Sequence, residues 1–237
     1  MTMTPMVLRL LIAMAVIGIL FMILGQTDSG HVLAEYLLLT PTDAVFKGRV
    51  WQVATYMWVH VAPLQLLLNM LFLWFFGPQF EARWGPRSFI RFVVLAGIGS
   101  GIVATLVGIV MPFFNVADSG IGGALNALLM AFALAFPEAT INFYFLIPVK
   151  AKQLIYIVVL VEVVFAAAGM NHQLPGQLGG LLSGWLLITG KWRPSRWGIG
   201  GKQGGRPKRP NPGNLRVVKG GGDEDDDDEE KPPKYLN

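Results

Sequence analysis

Polar side chains that could do chemistry are concentrated in three otherwise apolar stretches of the sequence. The first contains His60, Gln65 and Asn69, the second opens at residues 119–123 (Ser-Gly-Ile-Gly-Gly), and the third contains Gln177. Polar residues inside apolar segments cost free energy, so each needs a binding or structural role. The chain has no cysteine and its three histidines are widely scattered. We therefore expect no metal site and no cofactor.

Six apolar segments must position these residues. The chain is 53% hydrophobic and 14% charged, whereas an ordinary soluble domain has about 25% charged residues. A bilayer as solvent explains this composition. The predicted spans cover residues 7–25, 64–76, 89–111, 120–137, 154–168 and 174–189. We therefore expect an all-α membrane protein with a six-helix domain over residues 1–190.

The boundaries of these segments carry further expectations. A cleaved signal peptide is the alternative for the first segment, but no small-residue cleavage site follows it. The long first loop, residues 26–63, is rich in aromatic residues and suits the membrane interface. The second span is expected to end at Gly77-Pro78. Ser119 is expected to cap the fourth helix.

Charge sets the expected orientation. All but Lys47 and Arg49 of the 19 Lys and Arg residues fall on the side that holds both termini if there are six spans. Basic residues favour the cytoplasmic side, so both termini are expected in the cytoplasm, at a bacterial plasma (inner) membrane. Residues 191–237 are Gly-, Pro- and Lys/Arg-rich and then carry eight acidic residues at 223–230. This composition predicts a disordered tail.

The polar stretches, in this order and spacing, resemble the rhomboid family of intramembrane serine proteases over most of residues 45–190. The first matches the Trp-Arg pair (Trp51-Gln52) and the His-x4-His-x3-Asn motif (residues 60–69) of that family. The second matches Gly-x-Ser-Gly-Ala at residues 120–124 and runs on to Phe-Pro at residues 136–137. The third matches Ala-His-Leu-Gly-Gly at residues 176–180. The resemblance implies a six-helix rhomboid-like bundle, with the second and fifth helices flanking a lateral opening.

The departures from the family motifs bear on activity. Gly122 stands at the nucleophile position and Gln177 at the general-base position, while Gln65 and Gln52 replace a histidine and an arginine. Glycine has no side chain to attack with, and an amide is not basic near neutral pH. Asn69 and Gln65 could still donate hydrogen bonds as an oxyanion hole does. Cleavage by the family mechanism is therefore not expected.

Glycines recur at every fourth position of the last span, at Gly176, Gly180 and Gly184. Gly120 and Gly123 stand at the start of the fourth span. Small residues at this spacing let two helix backbones approach closely. We therefore expect the fourth and sixth helices to pack tightly, as a scaffold for the two replaced positions. Asn126 is expected to hydrogen-bond across the bundle.

Three functions are compatible with the sequence. The first is a pseudoprotease that, like inactive rhomboids and Derlins, binds transmembrane segments of client proteins without cutting them. The second is an active intramembrane serine protease that uses Ser119 or another unexpected residue as nucleophile, with His172 as the candidate base. The third is a membrane anchor that presents its charged tail. The expected partners are lipids and membrane clients rather than nucleic acid, and the sequence leaves open the oligomeric state, the client and the role of Glu162.

Overall fold

The computed structural model describes residues 3–143, 147–169 and 172–190, and within them the chain is mostly helical. The predicted tail, residues 191–237, lies outside the described residues. The helices are α1 (Pro5–Leu24), α2 (Asp28–Leu37), α3 (Pro41–Phe46), α4 (Gln52–Thr55), α5 (Pro63–Trp84), α6 (Pro86–Val110), α7 (Gly122–Ala135), α8 (Ala151–Ala167) and α9 (Leu174–Thr189). Short 3-10 turns cover Tyr56–Trp58 and Pro112–Phe114.

Two strands that the all-α expectation did not include lie between α7 and α8. β1 (Thr140–Phe143) and β2 (Ile147–Lys150) pair antiparallel, with Ile141 opposite Val149. Glu138, just before β1, forms ion pairs with Lys150 and Lys152 at the same, open end of the hairpin. Ion pairs and a backbone ladder therefore close the reversal that the sequence marks with Pro148.

Two of the described helices, α1 and α6, are long and apolar enough to cross a membrane. The segment Gln52–Trp58 and helix α5 together pass the same test but are bent by 87° at the break between them. α7, α8 and α9 coincide with the other predicted spans but have only 14, 17 and 16 residues, fewer than the roughly 20 of a typical spanning helix. The helices support an integral membrane protein, and the number of six crossings stays a prediction.

The core of the bundle is the contact of α9 with α7. A Cβ atom added to Gly180 would lie 2.0 Å from the carbonyl oxygen of Gly123, and one added to Gly184 would lie 2.5 Å from that of Ala127. Real Cβ atoms do not come so near, so the two backbones touch without intervening side chains. The predicted close packing of these helices is therefore present in the structure.

An adjacent face of α9 packs against α6 in a similar way. A Cβ at Gly179 would meet Val103 at 2.6 Å, and one at Gly99 would meet the Ser183 hydroxyl at 2.3 Å. The Ser100 hydroxyl of α6 donates a hydrogen bond of 2.6 Å to the Gly176 carbonyl. Helix α9 is thus fixed between two neighbours, and Gln177 follows directly after the residue that Ser100 holds.

Helix α5 differs from its predicted boundary. It continues through Gly77-Pro78 to Trp84, although an internal proline costs a helix about 3 kcal/mol. The extra turns are used in packing, because Gly77 lies against Val7 of α1 and Phe80 is buried in the core. This tertiary packing overrides the local signal to stop.

The last turns of α5 also carry Glu81, which is 4% exposed. Its carboxylate accepts hydrogen bonds from the Met6 and Val7 N–H groups, at 2.9 and 2.8 Å, and from the Thr4 hydroxyl. These are the free donors at the start of α1, where a negative charge is favourable. Glu81 therefore caps a helix that lies far from it in sequence.

The start of α7 also corrects a prediction. The helix begins at Gly122 after Ile121 and has no side-chain cap, so the expected cap by Ser119 is wrong. Gly120 separates the two with a φ of +89°, a conformation that glycine adopts without a Cβ penalty. This turn directs the Ser119 side chain away from the first helical N–H groups.

We expect Gly180→Ala to destabilise the bundle by about 1–3 kcal/mol, because its methyl group overpacks a backbone contact. In an exposed helix the same change would stabilise by up to about 1 kcal/mol. Thermal unfolding in detergent, followed by tryptophan fluorescence, measures the difference. Leu182→Ala, on the exposed face of α9, is the control. A Gly180→Ala protein that melts at or above the wild-type temperature would contradict this packing.

We expect Glu81→Gln to lower the stability by about 1.5–3 kcal/mol, the usual contribution of hydrogen bonds to a charged group. The same change at the exposed Glu35, on α2, should have almost no effect. Both variants can be compared by the same thermal unfolding measurement. Equal melting temperatures for the two variants would show that Glu81 does not cap α1.

Candidate functional site

The structure brings Gly122 and Gln177 together at the ends of α7 and α9. A Cβ atom added to Gly122 would lie 3.3 Å from Nε2 and 3.5 Å from Oε1 of Gln177. The glycine contacts deeper in the same helix pair set this separation, because they fix the distance between the two backbones. The positions that the resemblance gives to nucleophile and base therefore face each other.

The amide of Gln177 is oriented by Asn126, one turn along α7. Asn126 Nδ2 donates to Gln177 Oε1 at 2.8 Å and lies 3.4 Å from the Gln177 carbonyl. Asn126 thus bonds across the bundle, as expected. Both ends of the amide lie near the Gly122 position, with Nε2 the nearer at 3.3 Å. The amide offers two N–H donors and no group that is basic near neutral pH.

His60 and Asn69 form a second polar pair. His60 is fully buried before α5, and its Nε2 lies 3.2 Å from Asn69 Nδ2 on the second turn of that helix. An Asn amide carries two N–H groups, so one remains for a ligand. The contact fixes the direction of the amide that we predicted as an oxyanion-type donor.

Gln65 holds the turn before α7. Its Nε2 donates to the Ser119 carbonyl at 2.9 Å, and the Ser119 hydroxyl lies 3.5 Å from Gln65 Oε1. The Gly120 N–H donates to the Tyr56 carbonyl at 3.0 Å. A Cβ at Gly120 would come within 2.9 Å of Gln65 Nε2. Gln65 therefore uses one of its two donors to support the loop rather than to face a ligand.

The alternative pair of Ser119 and His172 is not assembled. Ser119 is buried against Gln65. His172 lies just before α9, as predicted for a loop residue, and its Nδ1 is 3.1 Å from the Phe113 carbonyl. The two residues line different cavities. No described contact would let His172 take a proton from Ser119.

The Trp51-Gln52 pair braces the first loop. Gln52 is fully buried; its Nε2 donates to the Glu35 carbonyl at 2.7 Å and its Oε1 accepts from Thr40 N–H at 3.2 Å. Trp51 is 45% exposed, and its Nε1 donates to the Tyr36 carbonyl at 2.8 Å. These bonds hold α2 and α4 together above the bundle. The glutamine at the arginine position thus has a structural role.

Sequence reasoning missed Asp118, which lies between the first loop and α9. Its backbone exchanges two hydrogen bonds with Leu39, at 2.8 and 3.1 Å. Its Oδ1 accepts the Ser119 N–H at 2.7 Å, and its Oδ2 would be 3.0 Å from a Cβ at Gly176. Next to Ser119 and Gly120, Asp118 looks like an ordinary turn residue in the sequence. Its position depends on pairing with a loop 79 residues earlier.

Asp118 borders a small polar cavity that is large enough for about one water molecule. The cavity is lined by residues of the candidate site and its supports, namely Tyr56, Ser100, Asp118, Ser119, Gly120, Gly122, Gly123, Gln173, Gly176 and Gln177. A carboxyl group therefore shares a cavity with the facing pair of Gly122 and Gln177.

Burial raises the pKa of Asp118 from its ordinary 3.8 to about 7, against the opposing effect of the hydrogen bond from the Ser119 N–H. Asp118 lies in the loop between α6 and α7, outside the helices that could span a membrane. A carboxyl group in such a site changes its charge near neutral pH.

This shift predicts how stability depends on pH. Because the native pKa is raised, the native state binds more protons than the unfolded chain between 3.8 and about 7. Stability therefore falls as pH rises through this window, and the loss is complete above it. We expect Asp118→Asn to melt progressively higher than wild type as pH rises from about 5 to about 8.

Glu138→Gln is the control for this pH series. Hydrogen bonds from Lys150 and Lys152 hold the pKa of the exposed Glu138 at about 2. Glu138 thus stays ionised across the same range, and the difference between its variant and wild type should not change with pH. A constant difference between Asp118→Asn and wild type would contradict the assignment.

Among the described residues, no three His, Asp or Glu side chains come together as metal ligands. What the residues do assemble is a donor-rich pocket at the N-terminus of α7. Its donors come from Gln177 and from the uncapped N–H groups at the start of the helix, whereas Asn69 contacts His60 and is not among the residues that line this cavity.

Comparisons with known proteins cover the part of the chain that holds this site. The Rhomboid domain family model matches residues 47–194. Two curated relatives, Rhomboid protease GlpG of Salmonella newport and of Salmonella typhi, are each 29% identical to this chain over 92 residues. Each match covers 39% of this chain and 31% of the relative, so the similarity spans about a third of the length of these relatives.

Proposed function

Because this chain belongs to the rhomboid family, we propose that it acts as a rhomboid-like pseudoprotease, which binds transmembrane segments of client proteins without cleaving them. The observation that carries this proposal is the closeness of Gly122 to Gln177. A Cβ atom built on Gly122 would lie 3.3 Å from Gln177 Nε2. The two positions that the resemblance gives to the nucleophile and the base lie together, and the residues there carry neither a hydroxyl nor a basic group.

The chemistry of the pocket supports binding rather than hydrolysis. Acyl transfer needs a hydroxyl oxygen and a base within hydrogen-bond reach of it. Gly122 supplies no oxygen, and the Gln177 amide that faces it cannot accept a proton near neutral pH. Donors without a nucleophile hold a carbonyl group and leave its bond intact.

A client helix would have to expose a backbone carbonyl to use these donors. Gln177, Gly122 and Gly123 line the same small cavity and offer it amide and backbone N–H donors. In an intact helix the backbone carbonyls are engaged internally. The site therefore favours transmembrane segments whose helix is locally unstable, for example near Gly or Pro.

Exposed apolar faces on α5 and α8 would accommodate such a segment. On α5 these residues are Leu64, Leu67, Leu68 and Leu71, and on α8 they are Tyr156, Leu160, Val163 and Val164. Contiguous rows of exposed large apolar side chains are unusual on the surface of a soluble monomer. In a bilayer, they suit contact with lipid or with a second helix. Both termini would then be cytoplasmic, as the distribution of basic residues indicates.

The proposal can be tested with the full chain in proteoliposomes. A client segment with a Gly-containing, destabilised helix and a photo-crosslinking group should crosslink to the chain and give no cleavage product. A matched client with leucines in place of the glycines should crosslink less. Gln177→Leu removes the donors at similar volume and should weaken binding about fivefold, the equivalent of about 1 kcal/mol for a hydrogen bond.

Leu182→Ala, on the exposed face of α9, should leave crosslinking unchanged. Equal crosslinking of both clients to wild type and to Gln177→Leu would contradict the proposed site. Cleavage products that disappear in Ser119→Ala would replace the proposal with the active-protease alternative. Binding that is lost on deletion of residues 195–237 would favour the anchor that presents its tail.

A further inference from the structure

Asp118 differs from the other buried or paired acidic residues around the bundle. Glu81 accepts three hydrogen bonds and Glu138 pairs with two lysines. Asp118 accepts one hydrogen bond, from Ser119 N–H, and forms no salt bridge within the described residues. A carboxylate removed from water is unfavourable unless it takes up a proton or pairs with a cation, so ionised Asp118 has room for a positively charged partner.

We propose that Asp118 and the cavity it borders receive the ammonium group of a lysine carried by the client transmembrane segment, an inference that rests on the function proposed above. The same cavity is lined by Gly122 and Gln177. A client whose carbonyl meets the donors there would therefore bring nearby side chains within reach of Asp118.

The size of the cavity selects the cation. It accommodates about one water molecule, and an ammonium group is similarly compact. A guanidinium group is a larger planar fork. Gly176 would place a Cβ only 3.0 Å from Asp118 Oδ2, so α9 leaves no room on that side. Lysine thus fits this site better than arginine.

The charges around Asp118 agree with a cation site. The two cavities it borders are lined by two other titratable groups, Tyr56 from the 3-10 turn and His172 from the segment before α9. The Tyr56 hydroxyl donates to the Gly97 carbonyl at 2.9 Å, and His172 contacts the Phe113 carbonyl. Neither is bonded to the Asp118 carboxyl group.

A lysine in the outer part of a membrane span is costly when it has no partner. Pairing with ionised Asp118 would offset the cost of the unpaired lysine and the cost of the unpaired carboxylate at the same time. Because the pKa of Asp118 is raised to about 7 by burial, a lysine client must displace its proton below that pH. Binding of such clients should therefore strengthen as pH rises through neutrality.

The test uses the full chain in proteoliposomes and four fluorescent client peptides that differ at one position. That position holds Lys, Arg, norleucine or Gln. The set of four peptides is repeated for successive positions in the half of the client that would lie on the Asp118 side of the bundle. At about pH 8 we expect one position where Lys binds at least about tenfold more tightly than norleucine, a modest coupling for an interfacial ion pair. Arg should gain less, and the lysine gain should be lost at about pH 5.5.

Asp118→Asn should abolish the gain for lysine and leave the affinity for the norleucine client unchanged. Glu138→Gln and His172→Ala should keep both the gain and its pH dependence. Thermal unfolding and binding of the norleucine client show whether Asp118→Asn is folded. If it is not, Asp118→Ser replaces it, and retention of the gain in the folded variant overturns the inference.

The two proposals fail in different ways. If norleucine and lysine clients bind equally at every position, the lysine site is wrong while client binding stands. If no client binds at any position, the proposed function fails and the lysine site fails with it.

Discussion

The backbone contact of α7 with α9 is the constraint on which the rest of the site depends. A Cβ at Gly180 would lie 2.0 Å from the Gly123 carbonyl, so no other residue fits there without moving a helix. In lipid the hydrophobic effect does not drive helices together, so tight packing and hydrogen bonds must supply the free energy of association. Small residues such as these glycines allow that tight packing. This contact sets the approach of Gly122 to Gln177, because Gly122 is the residue before Gly123 and Gln177 lies about one turn before Gly180.

The contact also holds positions 122 and 177 together without a bond between their side chains. The Ser100 hydroxyl donates to the Gly176 carbonyl, and Gln65 supports the turn at Ser119. Asn126 donates to the Oε1 atom of Gln177. Polar side chains that are satisfied in this way cost little stability, so polar groups can lie at this packed contact.

The sequence predicted the parts that depend on local spacing. Glycines at every fourth position of a helix predict that another helix backbone approaches closely there, and the packing of α9 agrees with this prediction. The continuation of α5 past Pro78, the cap of α1 by Glu81 and the place of Asp118 could not be predicted in this way. Glu81 bonds residues 74 to 77 positions away, and Asp118 pairs with Leu39. Such roles are set by tertiary neighbours, and a single sequence does not reveal them.

The most direct measurement of the central claim is cleavage of a generic rhomboid substrate in proteoliposomes, with wild type beside the double variant Gly122→Ser, Gln177→His. We expect no product from wild type. We expect product from the double variant, because a serine side chain at residue 122 would lie against residue 177. Product from wild type that persists after contaminating proteases are removed would contradict the claim that this scaffold binds without cutting.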